Sequence, residues 1–229
     1  MTTKAPRRIG LFGGTFDPVH VGHLALAQAA RLALPLDHVV FLPAGNPWQK
    51  AGSLLSTAEH RLAMVRLAIE GIEGLSVDSR ELTRDGPSFT IDTVREIRAE
   101  FGPQACLVLL IGSDQFHGLP TWHRWRELLS YVNIATTQRE SVRLEHFTPE
   151  LETWLTEFGA DSLTSTDSAP APHGKVVFFR MPPTAVSSTA IRSHRAQFQD
   201  LRSDLATLVP AQVLHYIEQN HLYPPKGKP

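Results

Sequence analysis

The stretch Arg8-Ile9-Gly10-Leu11-Phe12-Gly13-Gly14-Thr15-Phe16-Asp17-Pro18-Val19-His20-Val21-Gly22-His23 decides the fold. Its first residues form a short apolar run, as a buried strand does. The glycine pair and the Asp-Pro step then break that run, and a segment of helical period continues from about Val19 to Leu34. A strand that ends in a glycine turn and feeds a helix is the opening of an α/β unit. In an open parallel sheet ligands bind beyond the carboxyl ends of the strands, where a glycine turn lets backbone N–H groups and a helix N-terminus approach a phosphate.

Outward from this unit, short apolar runs keep alternating with longer segments of helical period, the pattern of parallel strands joined by crossover helices. Strands are predicted at Val39 to Leu42, Leu75 to Asp78, Cys106 to Ile111, Tyr131 to Thr136 and Lys175 to Arg180. Helices are predicted at Thr57 to Ile69, Thr90 to Phe101, Pro149 to Phe158 and Pro210 to Asn220. The expected fold class is α/β: a doubly wound Rossmann-like parallel sheet with a small helical C-terminal part, forming a single domain over residues 1–229. Residues 159–174 turn to Ser, Thr, Asp, Ala and Pro without an aromatic residue, which reads as a flexible loop insertion.

Composition narrows the function classes. The 229 residues are 42% hydrophobic and 20% charged, with a formal net charge of −1. A chain of this size buries roughly 70–75% of its unfolded surface, so a large core needs no disulfide or metal. Balanced charge argues against a protein built to bind nucleic acid or an anionic membrane, and any phosphate recognition must be local. Cys106 is the sole cysteine, which excludes an intrachain disulfide and a cysteine-based zinc site and fits a reducing cytoplasm. The apolar stretch after Lys4, Arg7 and Arg8 spans only Ile9 to Phe12, too short for a signal-peptide core, and no segment nears the roughly 20 apolar residues of a membrane span. The sequence is compatible with a homo-oligomer.

Two constellations carry chemistry. His20 and His23 are three apart, so a helix beginning near Pro18 or Val19 sets both imidazoles on one face of its first turn, with Gly22 leaving room for a flat base or ribose. Such imidazoles can donate to phosphate oxygens as charge builds. Alone, His-x-x-His reads more readily as a hydrogen-bonded pair in a tight turn; the preceding Gly-Gly-Thr-Phe-Asp-Pro reverses that preference. The segment is neither a Walker A loop nor a Gly-x-Gly-x-x-Gly fingerprint, and it lacks His-Glu-x-x-His. The second constellation is Ser187-Ser188-Thr189-Ala190-Ile191-Arg192. Three hydroxyl residues supply an N-cap and donors, and Arg192, one turn into the helix, can fork onto phosphate oxygens.

Together the two segments resemble the nucleotidyltransferase superfamily with the His-x-Gly-His signature, here His20-Val21-Gly22-His23, and within it the bacterial nicotinate-nucleotide adenylyltransferases. Ser187 to Arg192 match that family's Ser-Ser-Thr-x-Ile-Arg. Ser88-Phe89-Thr90, Ile111-Gly112-Ser113-Asp114 and Thr121-Trp122 lie between them in the family's order. The resemblance implies transfer of AMP from ATP to nicotinate mononucleotide, giving deamido-NAD and pyrophosphate, without a covalent enzyme intermediate. It implies that His20, His23 and Arg192 act in catalysis. The backbone at Gly13, Gly14, Thr15 and Phe16, with Gly112, Asp114, Ser187, Ser188 and Thr189, would bind ATP, and Lys50, Thr90 and Trp122 would bind the acceptor. Mg²⁺ would bridge the ATP phosphates, because the chain shows no carboxylate cage of its own and no metal-ligating residues are assigned.

The chain departs from that family at Phe89, where relatives have Tyr, and at Gln49, where many have His. Trp122 has a competing reading as a packing residue, since Trp125 lies three positions on. Pantetheine-phosphate adenylyltransferase is a rival, but it typically carries Thr where His20 stands and is shorter. A preference for nicotinamide mononucleotide is a closer one, and a nucleotide-binding regulatory module that has lost catalysis is a third.

Overall fold

A computed structural model of the chain describes residues 7–45, 56–138, 147–163, 171–182, 184–197 and 205–224. Its centre is a six-stranded parallel sheet built from β1 (Arg8–Gly14), β2 (His38–Pro43), β3 (Leu75–Val77), β4 (Cys106–Ile111), β5 (Asn133–Gln138) and β6 (Val176–Arg180). The spatial order is β3-β2-β1-β4-β5-β6. The chain winds outward from β1 in one direction and from β4 in the other, so β1 and β4 are neighbours whose connections diverge. That divergence leaves a crevice at their carboxyl ends, the place where open α/β sheets bind ligands.

Seven helices accompany the strands: α1 (Val21–Ala33), α2 (Ala58–Ile69), α3 (Thr90–Phe101), α4 (Ser113–His117), α5 (Pro149–Phe158), α6 (Ser188–Gln197) and α7 (Ala211–Gln219). Strand periodicity divides the core in two, because successive side chains of a strand point to opposite faces. Phe12, Val39, Phe41, Val108 and Leu110 face α1, α2, α6 and α7, meeting Ala27, Val65, Ile191 and Val213. Ile9, Leu11, Leu107, Leu109 and Ile134 face α3 and α5, meeting Val94, Ile97, Leu151 and Trp154. All six residues of β4 are buried, which is why that strand reads as a continuous apolar run. Cys106 lies among them, and burial pushes its thiol pKa up, as for an inert core cysteine.

The helical C-terminal part folds back onto the sheet domain: α7 packs on α2, and the Tyr216 hydroxyl meets the His60 ring at 2.9 Å. The ends of the 159–174 segment are also built into the fold. Ala160 N–H donates to the Val176 carbonyl, Leu163 is buried, and the Pro172 carbonyl accepts from Arg98; residues 164–170 lie outside the described residues. No helix among the described residues is long and apolar enough to cross a membrane.

Candidate active site

Helix α1 begins at Val21, with His20 as its N-cap in extended conformation, two to three residues after the start near Pro18 or Val19 expected from the sequence. The delay has a packing cause. Val19 is fully buried, Asp17 is fully buried, and His20 is only 6% exposed, so the chain dives into the core between the turn and the helix. The two imidazoles still meet: they stack with centroids 3.7 Å apart. The His20 backbone N–H donates to His23 Nδ1 at 3.2 Å. A ring that accepts at Nδ1 carries its proton on Nε2 when neutral, so His23 is set up as an Nε2–H donor.

Gly22 works differently from the expectation of an open space for a base or ribose. A Cβ there would stand 2.9 Å from Val186 Cγ1 and 3.1 Å from His20 Nδ1, so the missing side chain lets α1 pack against Val186 and the His20 ring. At the β1 and β4 carboxyl ends the open glycines are Gly13 and Gly112, where a Cβ would meet nothing within 4 Å. Their bare backbone is what a phosphate or ribose can approach. Phe16, by contrast, is 1% exposed and adopts φ +52°, in the left-handed region that aromatic residues rarely occupy. It holds that conformation because its ring packs edge-on against Phe12 and His23, and thereby fixes the imidazole's position.

A cavity of about 310 Å³ opens at the crevice between β1 and β4. Gly13, Gly14, Thr15, Phe16, His23, Gly112 and Ser188 line it, together with Thr90 and Trp122. Nine of the residues singled out from sequence thus share one space. His20 stands behind His23 and does not line it. Asp114 is on the exposed side of α4, and Ser187 and Thr189 are exposed at the start of α6. Ser187 Oγ accepts from the Ala190 N–H as a helix cap, while Thr189 Oγ1 accepts from Arg192 at 3.3 Å. Arg192 also donates to the Asp17 carbonyl at 2.6 Å, and Ser188 Oγ donates to the Pro18 carbonyl at 2.9 Å, so α6 is tied directly to the glycine turn. Lys50, with Gln49, lies outside the described residues.

The structure places the two tryptophans differently. Trp125 is core, packed on Trp154 with ring centroids 5.0 Å apart. Trp122 lines the cavity, and its buried Nε1–H has no hydrogen-bond partner among the described residues. A buried donor left unpaired costs about 1–3 kcal/mol, a cost that a ligand oxygen would remove. Helix α3 begins at Thr90, and its first-turn N–H groups favour an anion. Phe89 caps that helix and lies on the His123 ring at 4.4 Å, so its phenyl, in place of a phenol, is used for packing.

Several contributors escaped the sequence reading. Glu81 and Thr93 line the same cavity; Thr93 Oγ1 donates to Glu81 Oε1 at 2.7 Å and accepts from Arg84 at 3.0 Å. Burial pushes the Glu81 pKa up, and the Thr93 hydrogen bond and Arg84 oppose that shift. Asp17 accepts from the Tyr223 hydroxyl at 2.6 Å, a bond between residues too far apart in sequence for any local pattern to show. Arg61 is 2% exposed on α2, in the same buried stripe as Met64, Val65 and Ala68. A charge in an apolar stripe is a legible signal, and it was the one clue to this residue.

Burial pushes the His20 pKa down to about 4. As pH falls below about 6.5, the unfolded chain takes up a proton that folded His20 refuses until about pH 4. The stability present above 6.5 is therefore lost over that window, by up to roughly 3 kcal/mol. His20→Asn, which keeps a capping side chain, should flatten this slope, as urea unfolding at a series of pH values would register. Parallel slopes for the two proteins would contradict the assignment.

Comparison with known proteins places the chain in a family. The cytidylyltransferase-like family profile matches residues 11–194. A protein of Methylibium petroleiphilum named "Probable nicotinate-nucleotide adenylyltransferase" is 44% identical over 229 residues, covering 99% of this chain and 98% of the relative. One of Pseudomonas aeruginosa with the same name is 44% identical over 217 residues, covering 95% of this chain and 97% of the relative. A solved Plasmodium falciparum nicotinic acid mononucleotide adenylyltransferase, complexed with NaAD, superposes with a TM-score of 0.70 at 16% identity over 95% of this chain and 97% of its own, a likeness of fold. With 44% identity to these relatives over nearly the whole of both chains, the chain belongs to the cytidylyltransferase-like family and, within it, to the nicotinate-nucleotide adenylyltransferases.

Proposed function

We propose that the protein transfers AMP from ATP to nicotinate mononucleotide, forming deamido-NAD and pyrophosphate, a step of NAD biosynthesis. The observation that carries this is the single cavity that puts a phosphate-approaching backbone, His23 and Ser188 together with Thr90 and Trp122. One bond forms, between an acceptor phosphate oxygen and the α-phosphorus of ATP. One breaks, between that phosphorus and the oxygen leading to the β-phosphate, and pyrophosphate leaves with the electron pair. The acceptor brings its own nucleophile, so the chain's task is positioning and charge stabilisation.

The backbone of Gly13 to Phe16 receives the phosphates, and His23 donates through Nε2–H as charge builds on the transferring phosphorus. His20, kept neutral by burial, stacks behind it and holds the His23 ring in place. Gly112 and Asp114 approach the adenosine ribose, and Ser187, Ser188, Thr189 and Arg192 grip the departing pyrophosphate. Mg²⁺ enters as part of the ATP substrate, held by phosphate oxygens. Among the described residues no three His, Cys, Asp or Glu side chains cluster as a metal site, and buried Asp17 is already engaged by Tyr223 and Ser56. Label placed on the α-phosphate of ATP should appear in the dinucleotide, and label on the γ-phosphate in pyrophosphate. The reverse partition would contradict the reading.

Arg192→Lys tests the α6 clamp. The guanidinium spans the Asp17 carbonyl and Thr189 Oγ1, and the same fork can turn to two phosphate oxygens. A point ammonium cannot reproduce that geometry. The expected loss in kcat/KM for ATP is on the order of 10-fold to 100-fold; initial rates against ATP concentration measure it, and a silent replacement would make Arg192 a solvated surface charge.

A further inference from the structure

The structure assigns Arg61 as a positioning residue that sets the distance between the phosphate turn and the β2–α2 connection, and so aligns the two substrates. Four of its five N–H donors go to backbone carbonyls. Nη1 donates to Thr15 at 3.1 Å and to Ala44 at 2.5 Å, Nη2 to Gly45 at 3.0 Å, and Nε to Ser56 at 3.3 Å. Thr15 belongs to the turn after β1. Ala44 and Gly45 follow β2 directly, and Ser56 leads into α2. One buried side chain therefore joins three backbone segments: the first two already meet at the end of the β1–β2 ladder, where Ala44 N–H donates to the Gly14 carbonyl at 2.9 Å, and Arg61 carries that link past the ladder to Thr15, Gly45 and Ser56.

A second bond closes the arrangement. The Ser56 N–H donates to Asp17 Oδ2, so Ser56 is held by its carbonyl from Arg61 and by its N–H from the phosphate turn. Asp17 in turn anchors Tyr223 through its carboxylate and Arg192 through its carbonyl, which ties the same turn to the pyrophosphate side. Thr15 and Ala44 both line the 310 Å³ cavity, on the flank between Gly14 and Glu81. Close packing makes the spacing unforgiving: a Cβ on Gly45 would stand 2.0 Å from the Glu81 carbonyl oxygen. Shortening or reshaping the Arg61 side chain should let the turn and the connection drift apart by a fraction of an ångström to an ångström, and misplacement on that scale costs up to 100-fold in rate.

This inference rests on the adenylyl-transfer reading, and its test separates the two. In one assay of pyrophosphate release, the wild type, Arg61→Lys and Arg61→Gln are compared for kcat and for KM toward ATP and toward nicotinate mononucleotide. Melting curves establish the folded fraction at the assay temperature. Lys retains charge and reach but only a single nitrogen; Gln retains one donor group without charge. The expected result is folded variants whose KM for both substrates rises by about tenfold, with a fall in kcat on top, and Lys less impaired than Gln. A residue that merely stabilised the fold would lower the active fraction and leave both KM values alone. Unchanged KM values would overturn the proposal, and so would failure of both variants to fold. An inactive wild type would instead overturn the reading of the reaction.

Discussion

Replacing His23 by alanine is expected to lower turnover by on the order of 100-fold or more while changing ATP affinity far less, with His20→Ala showing the same pattern. The motive is geometric. His23 lines the cavity with Nδ1 accepting from the His20 backbone N–H, which fixes the tautomer with its proton on Nε2. A preorganised donor beside a reacting phosphorus gains most when negative charge develops there, which places the loss in kcat. His20 adds a complication, because it caps α1 and fills the space beside Gly22, so its removal also costs stability. Thermal melting alongside the kinetics separates the two effects, and His20→Asn keeps the cap. Single-turnover rates near the wild-type value in either alanine variant would remove the histidines from the chemistry.

Acceptor choice carries the second large effect. Nicotinate and nicotinamide mononucleotide differ by a carboxylate against a carboxamide, and the cavity offers donors where that group would lie. The first-turn N–H groups of α3 carry partial positive charge, and Trp122 Nε1–H is buried with no hydrogen-bond partner among the described residues. A carboxylate can accept from both. A carboxamide can satisfy one and must turn its own donor toward the other. Glu81 in the same cavity works against an anion, but its carboxyl is engaged by Thr93, with Arg84 one hydrogen bond beyond. The expected ratio of kcat/KM for acid over amide is about 10²-fold to 10⁴-fold. Trp122→Phe, which keeps a ring and removes the donor, should erode that ratio by about tenfold, while Trp122→Ala should impair use of the acid itself far more than use of ATP. Equal efficiencies for the two acceptors would refute acid selectivity and leave adenylyl transfer standing.

What the sequence disclosed, and what it hid, follow from the range of the forces involved. Helices α3 and α5 and strand β4 have the bounds their periodicity predicts, because each is governed by local pattern: a continuous apolar run for β4, an amphipathic stripe closed by Gly102 for α3, and a Thr148 cap followed by Pro149 for α5. Helix α1 starts later than its sequence pattern predicts because burial of Asp17 and Val19, a tertiary event, overrides the helix-start preference of Pro18. The role of Gly22 differs from its sequence reading for a similar reason, since Val186 comes from the far end of the chain. Trp122 and Trp125 carry the same letter at neighbouring positions, and only the turn between them sends one to Trp154 and the other to the cavity. Asp17 and Tyr223 meet through folding alone.

The central claim is that one cavity joins ATP to a mononucleotide, and the most direct measurement is the stoichiometry of the products. Purified protein is incubated with ATP, Mg²⁺ and nicotinate mononucleotide, and deamido-NAD and pyrophosphate are quantified over time. The account predicts that the two products appear together in equal amounts and that neither forms when the acceptor is withheld. Pyrophosphate released without the dinucleotide, or ATP left unconsumed with both substrates present, would contradict it.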